Sequence, residues 1–252
     1  MTTHHGPEPV NPSIRADAGS MPPRSLELWI AGAIDEVVAA ANTGLPTAVV
    51  TNPTVVADWT ADGRTLEEAA EEVLERTALP LYVQLRGPDA DTFKREGDAL
   101  AARSERLCLK LPSTLAGLEA VRYFAHNGLT TLVTTVCSLE QAYLAAAAGA
   151  SSICPYMSRL DEAGEPAATL ISRVASAYDR HDVATRIYPA SVRRREQIGE
   201  AIEAGAHGVI LFDALFREMC DHPVTKDSLH RFDRDDWSRI PYSFNGHAGG
   251  AK

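Results

Sequence analysis

A lysine stands in the middle of a short apolar run, LCLKLP at 107–112, that is typical of a strand buried on both faces. Alternation along a strand puts Cys108 and Lys110 on the same face. Burial lowers the pKa of a lysine, so its neutral amine becomes available as a nucleophile. Lys110 is therefore a candidate Schiff-base lysine, which would attack a ketone and form an imine. The alternatives are a lysine that reaches solvent or one that pairs with a carboxylate.

Further chemical groups lie at the ends of later apolar runs. Arg159 and Arg193 come just after two of them, where a pair of guanidinium groups can bind a phosphate dianion. Tyr156 ends a run, and a phenol at such a position can hold a water molecule or carry a proton. The simpler interpretations are arginines on the surface and a packed tyrosine.

Eight short β-rich runs alternate with Ala- and Glu-rich segments of helical period, a pattern that indicates βα units and a parallel sheet. Eight units predict an α/β fold, the (β/α)8 or TIM barrel. A doubly wound open sheet is the alternative, but it usually carries a glycine-rich turn, and none follows the first run. The runs are 26–31, 47–52, 79–85, 106–111, 129–136, 151–156, 184–190 and 207–212.

Four glycines follow helical segments and precede strands, and each is expected to end its helix in the left-handed conformation. They are Gly44, Gly128, Gly149 and Gly205.

The domain prediction is one barrel over residues 25–220. Residues 1–24 have proline, glycine and polar residues but no apolar segment, so they are expected to form a flexible N-terminal arm rather than a secretory signal. Residues 221–240 predict an additional C-terminal helix with Thr225 as its N-cap, which could pack on a neighbouring subunit. Residues 241–252 are expected to be a flexible tail.

The composition excludes several classes of function. A formal net charge of -10 argues against nucleic acid or an anionic membrane as a partner. No stretch approaches 18 consecutive apolar residues, so no membrane span is expected. The four cysteines show no CxxC spacing and predict neither a zinc site nor a disulfide framework. We therefore expect a cytoplasmic protein without metal or other cofactor.

The sequence from Cys108 to Gly164 resembles the central block of the transaldolase family, especially its short branch that includes fructose-6-phosphate aldolase. Further motifs occur in the order of that family: TNP at 51–53, VQL at 83–85, PASVRR at 189–194 and HPVT at 222–225. The resemblance covers about residues 26–237. It implies a barrel, a phosphorylated sugar or ketone substrate and a homo-oligomer.

The resemblance also implies roles for individual residues. Lys110 is implied to form the Schiff base with a ketose, and Gln84 to hold a water or a substrate hydroxyl beside it. Tyr156 resembles the aldolase-type subgroup, whereas the transaldolase type has phenylalanine there. The implied substrate contacts are Asn52, Thr134, Ser191, Arg159 and Arg193, of which the two arginines hold the phosphate.

Two positions depart from the pattern of the family. The first strand of the family ends with an aspartate that acts as acid and base, and here Ala31 occupies that position. The threonine before TNP is replaced by Val50. Alternation along the first strand puts Glu27 on the same face as Ala31, but Glu27 lies one layer deeper in the barrel. It is therefore not assigned the role of the aspartate. The two replacements predict a drier wall beside Lys110 and a specialised substrate.

The leading prediction is a class I, Schiff-base aldolase or transaldolase-like enzyme that makes or breaks a carbon–carbon bond in a sugar phosphate or related ketone. One alternative keeps the imine at Lys110 but performs another carbonyl reaction, such as isomerisation or dehydration. The other alternative is a non-catalytic descendant that binds sugar phosphates.

Overall fold

A computed structural model describes residues 26–234 of the chain. Eight strands alternate with helices, and every predicted run overlaps one strand. The strands are β1 (Glu27–Ala31), β2 (Ala48–Val50), β3 (Leu81–Gln84), β4 (Leu107–Pro112), β5 (Thr131–Val136), β6 (Ser152–Pro155), β7 (Arg186–Ile187) and β8 (Gly208–Phe212).

Eleven helices connect or follow the strands of the described chain. Those of the first half are α1 (Ile34–Ala41), α2 (Pro53–Trp59), α3 (Leu66–Arg76), α4 (Ala90–Ala101) and α5 (Leu115–His126). Those of the second half are α6 (Leu139–Ala147), α7 (Met157–Glu162), α8 (Ala167–Arg180), α9 (Arg195–Glu203), α10 (Asp213–Glu218) and α11 (Pro223–Phe232).

All strand pairs are parallel, in the order β7-β6-β5-β4-β3-β2-β1-β8. Two backbone hydrogen bonds join the ends of this order: the N–H of His207 donates to Ile187 and the N–H of Ile210 donates to Pro189, each at 2.9 Å. Pro189 has no N–H to return, which keeps the ladder between β7 and β8 incomplete. The sheet is thus a nearly closed barrel, and the predicted (β/α)8 fold is confirmed.

The four predicted helix-ending glycines adopt the left-handed conformation. Their φ angles are +74° at Gly44, +73° at Gly128, +87° at Gly149 and +93° at Gly205. A side chain at this φ is disfavoured, so glycine ends each helix and turns the chain towards the next strand.

Aromatic rings fill the barrel interior below its carboxyl end. The ring of Trp29 stacks on Tyr82 at 4.4 Å and on Tyr188 at 3.9 Å between centroids. Glu27 accepts a hydrogen bond from the indole N–H of Trp29 at 2.9 Å and forms an ion pair with Arg186 at 2.6 Å. Glu27 therefore lies below this aromatic layer, which separates it from the carboxyl ends of the strands.

The additional C-terminal helix is α11, but its predicted N-cap was wrong. The helix begins at Pro223, and the ring nitrogen Nδ1 of His222 accepts a hydrogen bond from the N–H of Val224 at 3.2 Å. Proline fixes φ at a helical value and suits the first helical position, so the helix starts before Thr225. The described residues do not include two of the predicted segments, the arm at 1–24 and the tail at 241–252. They also exclude 235–240, the end of the predicted C-terminal helix segment.

Candidate active site

Lys110 projects into the barrel interior near the carboxyl end of β4. Its side chain is 3% exposed, and its Nζ donates a hydrogen bond to the backbone carbonyl oxygen of Thr51 at 2.7 Å. Burial lowers the pKa of Lys110. Lys110 is therefore shielded from solvent and pairs with no carboxylate of the described part of the chain, and its amine is held by a neutral acceptor.

The end of β2 supplies that acceptor and the next polar side chain. The hydroxyl of Thr51 donates to the carbonyl of Tyr82 at 3.2 Å and accepts from the N–H of Gln84 at 2.9 Å, which ties β2 to β3. Asn52 caps α2, and its Oδ1 accepts from the N–H of Val55 at 2.9 Å. The amide nitrogen of Asn52 is thus the part of this side chain that could donate to a ligand.

Gln84 lies beside Lys110, because the two residues are partners in the parallel ladder of β3 and β4. Its Oε1 atom is buried and has no hydrogen-bond partner within the described residues. A buried amide oxygen normally accepts a hydrogen bond from protein or water. This oxygen is therefore suited to a water molecule or a substrate hydroxyl next to the amine.

Tyr156 and Thr134 form a second polar pair at the carboxyl ends of β5 and β6. The hydroxyl of Thr134 lies 3.1 Å from the phenol oxygen of Tyr156. Burial raises the pKa of Tyr156, so the phenol stays protonated at neutral pH and can donate a proton. The guanidinium of Arg159 lies 5.3 Å from the centre of the tyrosine ring, on its face.

Two residues at this end of the barrel have backbone conformations that the sequence did not predict. Thr135 has φ +61°, at a bulge where the pairing of β5 and β6 shifts between Thr134 and Val136. Ser191 has φ +56° and accepts a hydrogen bond from the N–H of Ser158 at 3.0 Å. Left-handed conformations of residues with a side chain are strained and cluster at functional sites.

The two predicted phosphate-binding arginines differ in their surroundings. Arg159 lies against Tyr156 and is exposed. Arg193 is also exposed, but it forms an ion pair with Glu162 at the end of α7. A ligand at Arg193 would therefore compete with this carboxylate, a contact that the sequence analysis missed.

The wall opposite these polar groups is apolar. Ala31 at the end of β1 pairs in register with Phe212 at the end of β8, and Val50 pairs with Tyr82. Ala31 and Val50 are buried, whereas Phe212 is 46% exposed at the rim. Phe212 was not among the site residues predicted from the sequence, although alternation along the eighth run, HGVILF, puts it on the same face as Ile210.

A groove of about 1120 Å³ lies between α6 and α8, lined by apolar residues that include Tyr143, Leu144 and Val183. It borders the loops that lead into β6 and β7, at the opposite end of the barrel from Lys110. It contains few polar groups, so it is not the candidate active site.

Within residues 26–234, no group of three or more His, Cys, Asp or Glu side chains is placed to hold a metal ion. The same part of the chain has no helix that is both long and apolar enough to cross a membrane.

The polar side chains around Lys110 converge at the carboxyl ends of the strands, where (β/α)8 enzymes have their active sites. The fold and the site thus define a barrel enzyme. The family model described as transaldolase/fructose-6-phosphate aldolase matches residues 31–240. The chain belongs to the transaldolase/fructose-6-phosphate aldolase family.

Individual relatives agree with this membership. A probable transaldolase of Brevibacillus brevis is 36% identical over 207 residues, which is 82% of this chain and 95% of the relative. A probable transaldolase of Oceanobacillus iheyensis is 34% identical over 205 residues, 81% of this chain and 94% of the relative. The family and these relatives support an enzyme of the class I aldolase type.

A solved structure of thiamine phosphate pyrophosphorylase from Pyrococcus furiosus has a similar fold. The TM-score is 0.50 at 19% identity, over 81% of this chain and 92% of that chain. This similarity concerns the fold alone.

Proposed function

We propose that the enzyme makes or breaks a carbon–carbon bond in a sugar phosphate or related ketone through an imine at Lys110. The neutral amine attacks the ketone carbon, a carbon–nitrogen bond forms, and the carbonyl oxygen leaves as water. The protonated imine then accepts the electron pair of the carbon–carbon bond that breaks, while the hydroxyl on the departing carbon loses its proton and becomes the carbonyl of the first product. The enamine left on Lys110 takes up a proton, and water hydrolyses the resulting imine to release the second product and the free amine. The same steps in reverse form the bond.

One observation carries this proposal: the Nζ of Lys110 is buried and bonded to a backbone carbonyl, not to a carboxylate. A neighbouring carboxylate would favour the ammonium form, whereas burial favours the free amine. The free amine is the form that attacks a carbonyl carbon.

Tyr156 is the proton carrier in this proposal, acting through a water held by Gln84. The buried, unpaired Oε1 of Gln84 supports a water site beside the amine. Thr134 positions the phenol through its 3.1 Å contact. Since Ala31 offers no carboxylate, Tyr156 transfers the protons that the aspartate of the family would transfer.

The remaining proposed contacts bind the substrate. Arg159 and Arg193 hold a phosphate group, because paired guanidinium groups match the geometry of a phosphate dianion. Asn52 and Ser191 contact substrate hydroxyls. Ala31 and Val50 favour a specialised substrate over the usual sugars of central metabolism, because they remove a carboxylate and a hydroxyl from the wall beside Lys110.

We also propose a homo-oligomer in the cytoplasm, where sugar phosphates are used. The support for an oligomer is α11, on which Val224, Leu229 and Phe232 are 65%, 54% and 52% exposed. An amphipathic helix normally buries its apolar side chains, and a second copy of the chain could cover this one.

Reductive trapping tests the imine. The enzyme is treated with sodium borohydride and dihydroxyacetone or fructose 6-phosphate, and the modified peptide is identified by mass spectrometry. We expect a stable adduct on Lys110, and neither an adduct nor activity in Lys110→Met or Lys110→Ala. Lys94→Met is the matched control, because Lys94 forms a surface ion pair with Glu119 at 2.7 Å. Full activity of Lys110→Met would exclude the mechanism.

A further inference from the structure

The wall formed by the ends of β8, β1 and β2 presents apolar side chains to the site. Phe212, Ala31 and Val50 are its members, and the register places Ala31 next to Phe212. Val50 directly precedes Thr51, whose carbonyl accepts the hydrogen bond of Lys110 at 2.7 Å. The apolar wall therefore reaches the amine itself.

Two backbone carbonyls beside this wall already have partners. The carbonyl of Gly32, the residue after Ala31, accepts a hydrogen bond from the indole N–H of Trp59 at 2.9 Å. The carbonyl of Thr51 accepts from Lys110, and its hydroxyl bonds to β3. The side chains of Phe212, Ala31 and Val50 offer no hydrogen bond. A substrate hydroxyl placed against them, rather than against the amide of Asn52 two residues beyond Val50, would lose water without gaining a partner, which is unfavourable.

The other side of the site has the opposite character. Gln84, Thr134 and Tyr156 present an amide and two hydroxyl groups, and Arg159 adds a positive charge next to the tyrosine ring. A ligand that fits both sides has hydroxyl or anionic groups on one side of its carbonyl carbon and an apolar group on the other.

We infer that the carbonyl compound bound at Lys110 has an alkyl or aryl substituent that faces Phe212, Ala31 and Val50, in place of a hydroxylated carbon. This inference rests on the proposed imine at Lys110. It names the substrate class as a ketone with a hydroxylated or anionic arm and an apolar arm. The ring of Phe212, 46% exposed at the rim, would cover the apolar arm.

Three ketones that differ in one substituent test the inference. Dihydroxyacetone and hydroxymethyl ethyl ketone differ by a hydroxyl against a methyl group of similar size, and benzyl hydroxymethyl ketone adds an aromatic ring. The measured quantity is the rate of borohydride-trapped adduct formation at Lys110. Each rate is divided by the rate measured with free Nα-acetyl-lysine, whose side-chain amine is unmodified. This division removes differences in the intrinsic reactivity of the ketones.

We expect the normalised rate to favour the ethyl ketone over dihydroxyacetone by about tenfold to a hundredfold, the range over which an apolar pocket discriminates. Val50→Thr should shift the ratio towards dihydroxyacetone, because it adds a hydroxyl with little change in shape. Phe212→Ser should lower the rate for the benzyl ketone most. Leu45→Ser is the control, because Leu45 is 59% exposed in the turn before β2, at the other end of the barrel.

The outcomes separate the inference from the function on which it rests. Adducts at Lys110 that form equally well with all three ketones, or best with dihydroxyacetone, would overturn the inference and leave the imine intact. The absence of an adduct with every ketone would overturn both. If Val50→Thr does not fold, the normalised rate of Phe212→Ser with the benzyl ketone tests the inference by itself. A rim residue can be replaced without disturbing the core.

Discussion

The amide of Gln84 and the amine of Lys110 are neighbours in the ladder of β3 and β4, and the amide oxygen is buried without a partner. The amine donates to the carbonyl of Thr51. The site thus holds a nucleophile and a hydrogen-bond acceptor side by side, and no carboxylate of residues 26–234 is bonded to either. This arrangement makes the protonation of Lys110 depend on burial, and that dependence can be measured.

The rate of imine trapping should rise with pH, with a midpoint below 10.5, the ordinary pKa of lysine. Burial lowers the pKa of Lys110, so the neutral amine forms at lower pH than in a free lysine. The check is the initial rate of borohydride-trapped adduct with dihydroxyacetone across a pH series. A midpoint at or above 10.5 would show that burial does not activate the amine.

The same shift predicts how stability depends on pH. The folded protein releases the Lys110 proton at a lower pH than the unfolded chain, so the unfolded state binds more protons between the two pKa values. The stability of the wild type relative to Lys110→Met should therefore rise with pH through this range. Thermal unfolding of both proteins in one buffer series measures the difference, and a difference that falls as pH rises would be inconsistent with a lowered pKa.

Tyr156→Phe should lower kcat by about 10²–10⁴-fold, the usual contribution of general acid–base catalysis, while imine trapping at Lys110 persists. The substitution removes the phenol oxygen but keeps the ring that lies beneath Arg159. Tyr123→Phe is a matched control, because its phenol is bonded to Asp98 on the protein surface. An unchanged kcat in Tyr156→Phe would assign the phenol a packing role only.

The fold was predictable because each strand and helix carries its own local pattern. Seven of the eight strands fall within a predicted run and β4 extends one residue beyond its run, to Pro112, while Gly44, Gly128, Gly149 and Gly205 end helices as expected. Alternation predicted that Cys108 and Lys110 share one face of a buried strand, and that face lies in the barrel interior. Local residue type was misleading at the start of α11, where Pro223 and His222 form the helix start instead of Thr225.

The details of the site were less predictable, because they depend on contacts between residues distant in sequence. The acceptor of the Lys110 amine is a backbone carbonyl, which no residue type reveals. The ion pair of Arg193 with Glu162 requires α7 to approach the end of β7. The left-handed conformations of Thr135 and Ser191 occur at residues that rarely adopt them, so composition gives no signal.

Arg159→Ala should raise KM for a phosphorylated substrate about tenfold to a hundredfold or more, and little for its dephosphorylated analogue, because a hydrogen bond to a charged group contributes roughly 1.5–3 kcal/mol. Arg193→Ala should have the same selectivity with a smaller effect, because Glu162 competes for this guanidinium. Arg103→Ala is the control, since Arg103 pairs with Glu71 on the surface. Equal effects on both substrates would mean that the arginines are structural.

Ala31→Asp combined with Val50→Thr should create or raise cleavage of fructose 6-phosphate and transfer of dihydroxyacetone. The two substitutions restore a carboxylate and a hydroxyl to the wall beside Lys110, and acid–base assistance contributes about 10²–10⁴-fold. Both positions are buried, at 3% and 1% exposure, so each single variant must also be measured for stability. A carboxylate near the amine raises the pKa of Lys110, which should move the midpoint of imine trapping to higher pH. A wild type that already matches ordinary transaldolases on these sugars, together with a slower double variant, would show that Ala31 and Val50 do not mark a lost proton relay.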